Sequence, residues 1–323
     1  MTGGDAPDQL LATARTGDRV ALARLLSAVE NDAPGARGIA ATTWTSSRAY
    51  SVGVTGAPGA GKSTLTDRLI FASLGRVVPD GERAPVAQLG VLCVDPTSPR
   101  SGGAILGDRV RMQDHALDPR VFIRSFASRG HLGGLSIAVP DALAVLGAVG
   151  FELVFVETVG VGQVELEVAA TADVTVVVVT PGWGDALQAA KAGLLEVADV
   201  FVVNKADRPG AAEAHRDLDQ MLDLGTGRDD GWRPPIVDTV ATEDLGTTEL
   251  LSAIDAFRAH ERGARAAARR RERAARLLRR LVAARLARSV DDVVASKGFD
   301  DAVHEVARGD VDPYSAVDAL LAS

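Results

Sequence analysis

Apolar positions along the chain follow two different rhythms. In the middle, short β-branched runs recur: Tyr50–Thr55, Val86–Val94, Val121–Ser125, Leu153–Glu157, Val174–Thr180, Val200–Asn204 and Ile236–Val240. They are apolar on successive residues, not alternate ones. A strand that presents both faces to apolar neighbours belongs in a parallel sheet covered on both sides. The stretches between the runs have helical spacing. This part of the chain therefore predicts an α/β fold: a mostly parallel sheet with helices on both faces.

The ends keep only the helical rhythm. From Asp8 to Glu30, Leu10, Leu11, Ala14, Val20, Leu22, Leu25, Leu26 and Val29 predict one or two short helices. Asn31–Gly38 carries Pro34 and two glycines and reads as a break. Strand signals stop after Glu249. Leu250–Val294 is rich in Ala, Leu and Arg, with Leu277, Leu278, Leu281, Val282 and Leu286 at helical spacing. It predicts one long amphipathic helix or a helical pair, and Asp312–Leu321 predicts another helix. No repeat of fixed period is visible. The expected organisation is an N-terminal helical segment (1–45), a central α/β domain (46–257) and a C-terminal helical extension (258–323). The extension would pack on the central domain or on a second copy of the chain, as a dimerisation element.

Composition narrows the class. The chain has 323 residues, 46% of them apolar, enough to bury a core without staples. Charged residues at 24% exclude wholesale disorder. The lone Cys93 allows no intramolecular disulfide and no Cys-rich zinc site, and it fits a reducing compartment. It lies inside an apolar run and reads as core. The N-terminus, MTGGDAPDQL, has neither the basic nor the apolar region of a secretory signal. The most apolar run, Val174–Thr180, is far short of the roughly 20 residues of a membrane span. The expectation is a cytoplasmic protein without a membrane partner.

Net charge is −8, which disfavours nucleic acid as the main partner. Residues 258–288 nevertheless hold twelve arginines against Glu261 and Glu272. Overall acidity and the lack of interleaved aromatics favour a solvated helix face or a dimer contact over nucleic acid or anionic lipid. The histidines at 115, 131, 215, 260 and 304 show no metal-ligand spacing.

Chemistry concentrates at strand ends. Gly56-Ala57-Pro58-Gly59-Ala60-Gly61-Lys62-Ser63, followed by Thr64, matches G-x-x-x-x-G-K-[ST] between a strand and a helix. Glycines let the backbone turn its N–H groups inward on phosphate oxygens, and the helix N-terminus adds its positive end. Lys62 brings a point charge to the β- and γ-phosphates, and the Ser63 hydroxyl suits Mg2+. Asn204-Lys205-Ala206-Asp207 is N-K-x-D, directly after an apolar strand. The Asp207 carboxylate can accept from guanine N1–H and N2–H₂, whereas adenine offers it only a lone pair. Asn204 can position the loop, and the Lys205 stem can lie along the base. Ala241 and Thr242, after the last strand, can present a backbone N–H to guanine O6.

Three carboxylates complete the pattern. Asp95 and Glu157 end apolar strands, and Asp108 follows in VDPTSPRSGGAILGD. Strand C-termini converge on the ligand crevice of such sheets. Acids there suit Mg2+ and its waters, although Asp95 or Asp108 could instead cap a helix or close a turn. Glu157-Thr158-Val159-Gly160 is similar to the D-x-x-G sensor of GTPases, whose glycine N–H meets the γ-phosphate. Val161 then stands where Ras-type GTPases carry a water-orienting glutamine. Slow unaided hydrolysis is expected, with Gln163 as a substitute.

Together these residues resemble the MeaB/ArgK-type P-loop GTPases. The resemblance runs closely over about residues 50–260, through GAPGAGKST, VDPTSPRSGGAILGDRVRM, ETVGVGQVE, PGWGDALQAAKAGLLEVAD and NKAD. It implies a SIMIBI-class G domain with a helical extension, a homodimer, GTP/GDP with Mg2+, and a chaperone role for an adenosylcobalamin-dependent methylmalonyl-CoA mutase or related acyl-CoA mutase. GTP binding and hydrolysis would gate cofactor delivery and protect or restore the mutase. The resemblance assigns Mg2+ roles to Ser63, Asp95, Asp108 and Glu157. It makes Asp185, Gln188 and Lys191 part of a third switch loop, with Trp183 either covering a partner or packing. Val164 and Arg109 depart from the usual serine and lysine. Two alternatives remain: a P-loop kinase or transport-coupled ATPase, as an older ArgK label has it, and a metallochaperone GTPase.

Overall fold

The computed structural model describes residues 7–47, 49–75, 86–95, 112, 115, 117–127, 138–158, 171–182, 197–224 and 230–322. Among the described residues, seven strands form one sheet: β1 Tyr50–Gly56, β2 Leu89–Asp95, β3 Val121–Ala127, β4 Leu153–Thr158, β5 Val174–Val179, β6 Val200–Asn204 and β7 Ile236–Thr239. Their order is β3-β2-β4-β1-β5-β6-β7, and every pairing is parallel. All seven runs read from the sequence are strands. The second is shorter than its apolar run, starting at Leu89 and not at Val86.

Burial explains the unbroken apolar runs. In β4, Leu153 and Phe155 point to one face of the sheet while Val154 and Val156 point to the other, and all four are buried. On the first face, Leu65, Leu69 and Ile70 of α4 (Lys62–Ser73) and Leu250, Ile254 and Phe257 of α7 (Thr247–His260) close over Val52, Val54, Val91, Val174 and Val176. On the second face, α1 (Pro7–Arg15), α2 (Arg19–Glu30), α3 (Ala36–Trp44) and α5 (Ala138–Val149) cover Leu92, Val94, Phe122 and Phe126. Further along that face, Leu218 of α6 (Ala211–Leu224) joins Val177, Val179, Phe201 and Val203.

The N-terminal helices share this core. Asp18 caps α2, its Oδ1 accepting from the N–H groups of Val20 and Ala21 at 2.8 and 3.0 Å. The Arg19 guanidinium donates to the carbonyls of Val121 (2.6 Å) and Pro119 (2.7 Å), and Arg124 of β3 pairs with Glu30 at 2.6 Å. The expected break at Asn31–Gly38 is shorter than read, because α3 starts at Ala36. Ile39 buries against the sheet's helical cover and offsets the weak helix propensity of Gly38, Thr42 and Thr43.

After Glu249 the helical-pair reading holds. α7 ends at His260, and α8 (Ala264–Val294) begins after a three-residue break. α9 (Lys297–Arg308) follows and then α10 (Pro313–Ala322), capped by Asp312. The chain divides into two compact units, Met1–Ala268 and Arg269–Ser323. No described helix is long and apolar enough to cross a membrane.

Gly56 sits where β1 hands over to the loop. Its φ is +137°, and a Cβ there would lie 2.0 Å from the Val178 carbonyl oxygen of β5. Gly56→Ala is expected to lower stability by about 3 kcal/mol. A urea midpoint equal to wild type would contradict this close approach.

Candidate functional site

The C-terminal ends of β1, β2, β4 and β6 share one edge of the sheet. β1 lies where the strand order turns, with β4 on one side and β5 on the other. Such a switch point opens a crevice at the strand ends. The loop from Gly56 to Gly61 lies there and leads into α4. Gly59 and Gly61 have φ of +75° and +87°, which glycine adopts without strain. Lys62 is only 6% exposed. Its Nζ donates to the carbonyls of Gly56 (2.8 Å) and Ala57 (3.0 Å), so the ammonium folds back across the loop. A loop that already holds a cation is shaped around charge.

Beside it, Ser63 Oγ donates to Glu157 Oε1 at 2.5 Å. The two residues are far apart in sequence and both are buried, Glu157 completely. A carboxylate fixed at the end of an apolar strand requires such partners. Next to it, Thr158 Oγ1 donates to Thr55 Oγ1 at 3.2 Å, tying β4 to β1. β2 pairs with β4 with Cys93 opposite Glu157 and Val94 opposite Thr158, so Asp95 closes the adjacent strand just beyond. A serine hydroxyl and a buried carboxylate are hard oxygen donors. They fit a Mg2+ ion held together with phosphate oxygens.

The N-K-x-D loop is wired directly to the phosphate loop. Asn204 Nδ2 donates to the Ala60 carbonyl at 2.8 Å. Asn204 Oδ1 accepts from Thr239 Oγ1 (3.1 Å) and from the Ala241 N–H (3.2 Å). One buried side chain thus ties together the phosphate loop, the end of β7 and the 3-10 turn Ala241–Glu243. Lys205, at φ +61°, reaches across to the Gly59 carbonyl at 2.6 Å. The Ala206 N–H bonds the Thr239 carbonyl at 3.0 Å, and Asp207 stands exposed beyond it. Gly61 also fits this wiring, since a Cβ there would come 2.4 Å from Asn204 Nδ2. Gly61→Ala is expected to weaken nucleotide affinity about tenfold by dislodging Asn204 from Ala60. Wild-type affinity in titration would oppose that.

Gly56, Ala57, Pro58, Gly59, Ala60, Gly61, Lys62, Ser63 and Thr64 thus share one edge with Glu157, Asn204, Lys205, Asp207, Ala241 and Thr242. The Ala241 N–H read as a contact for guanine is engaged by Asn204. The sequence did not single out Thr239, and its only signal is its place at the end of the last strand. Asp108, Gly160, Gln163, Asp185, Gln188 and Lys191 lie outside the described residues, as do Arg109, Val161, Val164 and Trp183.

Fold and site place the chain among the P-loop GTPases. Residues 22–295 match the family described as Methylmalonyl Co-A mutase-associated GTPase MeaB, and the chain belongs to that family. A protein of Pyrococcus abyssi is 46% identical over 318 residues, covering 97% of this chain and 95% of its own. GTPase ArgK of Escherichia coli is 37% identical over 252 residues, 76% of this chain and 73% of ArgK. A fused isobutyryl-CoA mutase of Geobacillus kaustophilus is 35% identical over 257 residues, 74% of this chain but 22% of that longer protein. The crystal structure of a LAO/AO transport system kinase superposes with a TM-score of 0.71 at 25% identity, over 99% of this chain and 98% of that one.

Proposed function

We propose that this GTPase is a chaperone of an adenosylcobalamin-dependent acyl-CoA mutase, methylmalonyl-CoA mutase or a relative. It would gate delivery of the cofactor and protect or restore the mutase. One observation supports the reading: a segment 35% identical to this chain is part of a fused isobutyryl-CoA mutase. Fusion keeps the two activities at high effective concentration, as a working pair requires.

The chain's own groups supply the hydrolytic steps. N–H groups of residues 57–64 cradle the phosphates at the N-terminus of α4. Lys62 leaves the Gly56 and Ala57 carbonyls for the β- and γ-phosphate oxygens. Ser63, Asp95, Asp108 and Glu157 would hold Mg2+, which when bound neutralises charge on the phosphate oxygens. Gly160 would sense the γ-phosphate, and Gln163 would orient water, with Val161 in the usual glutamine's place. Asp207 reads the guanine edge, with Asn204, Lys205, Ala241 and Thr242 holding the base pocket. GTP and GDP then bias the switch segments, including Asp185, Gln188 and Lys191, by their different contacts.

A homodimer belongs to this reading. α8 leaves Leu278 (62% exposed), Val282 and Leu286 open to solvent, and α10 does the same with Leu321. Exposed apolar faces of that kind call for a partner surface. A cytoplasmic setting agrees with a lone cysteine, Cys93, buried in β2.

The test is GTP hydrolysis measured with and without a purified acyl-CoA mutase. The expected result is slow turnover alone and at least about tenfold acceleration with the mutase. Equal rates, with no GTP-dependent complex in a pull-down, would count against the partner. Equal affinity for ATP and GTP would instead favour a phosphoryl-transferring kinase.

A further inference from the structure

The geometry points to a divalent transition-metal site formed by Asp230, His260 and Glu261, away from the nucleotide crevice. One ligand atom from each of the three lies within 4.8 Å of the others. Tetrahedral bonds of about 2.0–2.2 Å set donor atoms roughly 3.3–3.6 Å apart, so a small side-chain rotation closes the set. His260 Nε2 and Glu261 Oε2 are buried and have no hydrogen-bond partner among the described residues. Buried polar atoms are rarely left in that state, because each bears its desolvation cost uncompensated. An ion bonded to both removes that cost.

The surroundings suit a cation. His260 is the last residue of α7, where the helix presents its negative end. Two carboxylates balance a 2+ charge. Arg258, in the same turn, is drawn off over the Tyr50 ring, 4.5 Å from its centroid.

The ligands are also oriented. Asp230 Oδ1 accepts the Trp232 N–H at 2.9 Å. The Trp232 ring packs 5.0 Å from the His260 ring and 5.1 Å from Phe257. Its Nε1 donates to the Asp199 carbonyl at 2.8 Å, at the start of β6. That bond puts the cluster at the opposite edge of the sheet from the phosphate loop. Outer contacts of this type fix ring orientation in metal sites.

An imidazole with two carboxylates selects a zinc-like ion over Mg2+ or Ca2+, which prefer oxygen alone. Three protein ligands leave one position for water. The ion staples the segment ahead of β7 to the end of α7, and so acts on stability and not on GTP hydrolysis.

The test uses the full chain, stripped with chelator and then saturated with GDP and Mg2+ so that the phosphate-loop carboxylates are occupied. Zn2+ is titrated calorimetrically and melting is followed. One equivalent per chain and a raised Tm are expected. His260→Gln and Glu261→Gln should each weaken Zn2+ binding at least about tenfold while GTP turnover stays unchanged. No saturable binding to wild type, or equal binding to both variants, overturns the site. If His260→Gln does not fold, Co2+ bound to wild type decides. A visible spectrum of four-coordinate nitrogen and oxygen ligation supports the site, and a spectrum of free aqueous ion overturns it.

Discussion

Lys62→Ala is expected to cut GTP turnover by about two to three orders of magnitude. The ammonium is buried at 6% exposure and folded onto the carbonyls of Gly56 and Ala57. That position lies within the turn of backbone where phosphate oxygens must sit. When a triphosphate enters, the ammonium exchanges two neutral acceptors for charged ones, and its bonds strengthen as charge moves onto the β-phosphate during cleavage. Alanine removes that differential stabilisation and leaves two carbonyls without their donor. Lys62→Met keeps the apolar stem and isolates the loss of charge. Single-turnover hydrolysis should show the same deficit in both variants. Wild-type turnover in either would contradict the role given to this residue.

Asp207→Asn is expected to reduce the preference for GTP over ATP by at least about a hundredfold. The carboxylate is a double acceptor, matched to the N1–H and N2–H₂ of guanine. Asparagine replaces one acceptor with a donor, so a guanine N–H meets an N–H. The Asp207 side chain is exposed in the loop after β6, so the change should leave the fold intact. The Ala206 N–H bond to Thr239 and the Asn204 bond to Ala60 remain to hold that loop. The measurement is the ratio of affinities for the two nucleotides in wild type and variant. An unchanged ratio would place base recognition on other residues.

The sheet was legible because its signal is local. Val176 to Val179 are apolar in succession, and alternate members of the run enter different clusters on the two faces. The phosphate loop and N-K-x-D were legible because each is a contiguous motif beside such a strand. Less visible were features made by residues distant in sequence. α3 is one: Pro34, Gly35 and Gly38 argue for a break, while Ile39 is buried in the cluster shared with α1, α2 and α5. α9 carried no reading of its own, since it lies on an extension whose described helices bury little. The sequence assigned Asn204 to its own loop. Folding makes it the post that joins the phosphate loop, β7 and the turn at Ala241. The cluster of Asp230, His260 and Glu261 has no motif spacing, because a loop and a helix end supply its members.

The central claim is that one crevice grips a triphosphate at the phosphate loop and reads guanine with Asp207. The most direct measurement is a crystal structure with a non-hydrolysable GTP analogue and Mg2+. It should show phosphate oxygens bonded to the N–H groups of residues 57–64 and to Lys62 Nζ, Mg2+ beside Ser63, and Asp207 against guanine N1 and N2. A saturated crystal with this crevice vacant, or with the analogue bound elsewhere on the chain, would contradict it.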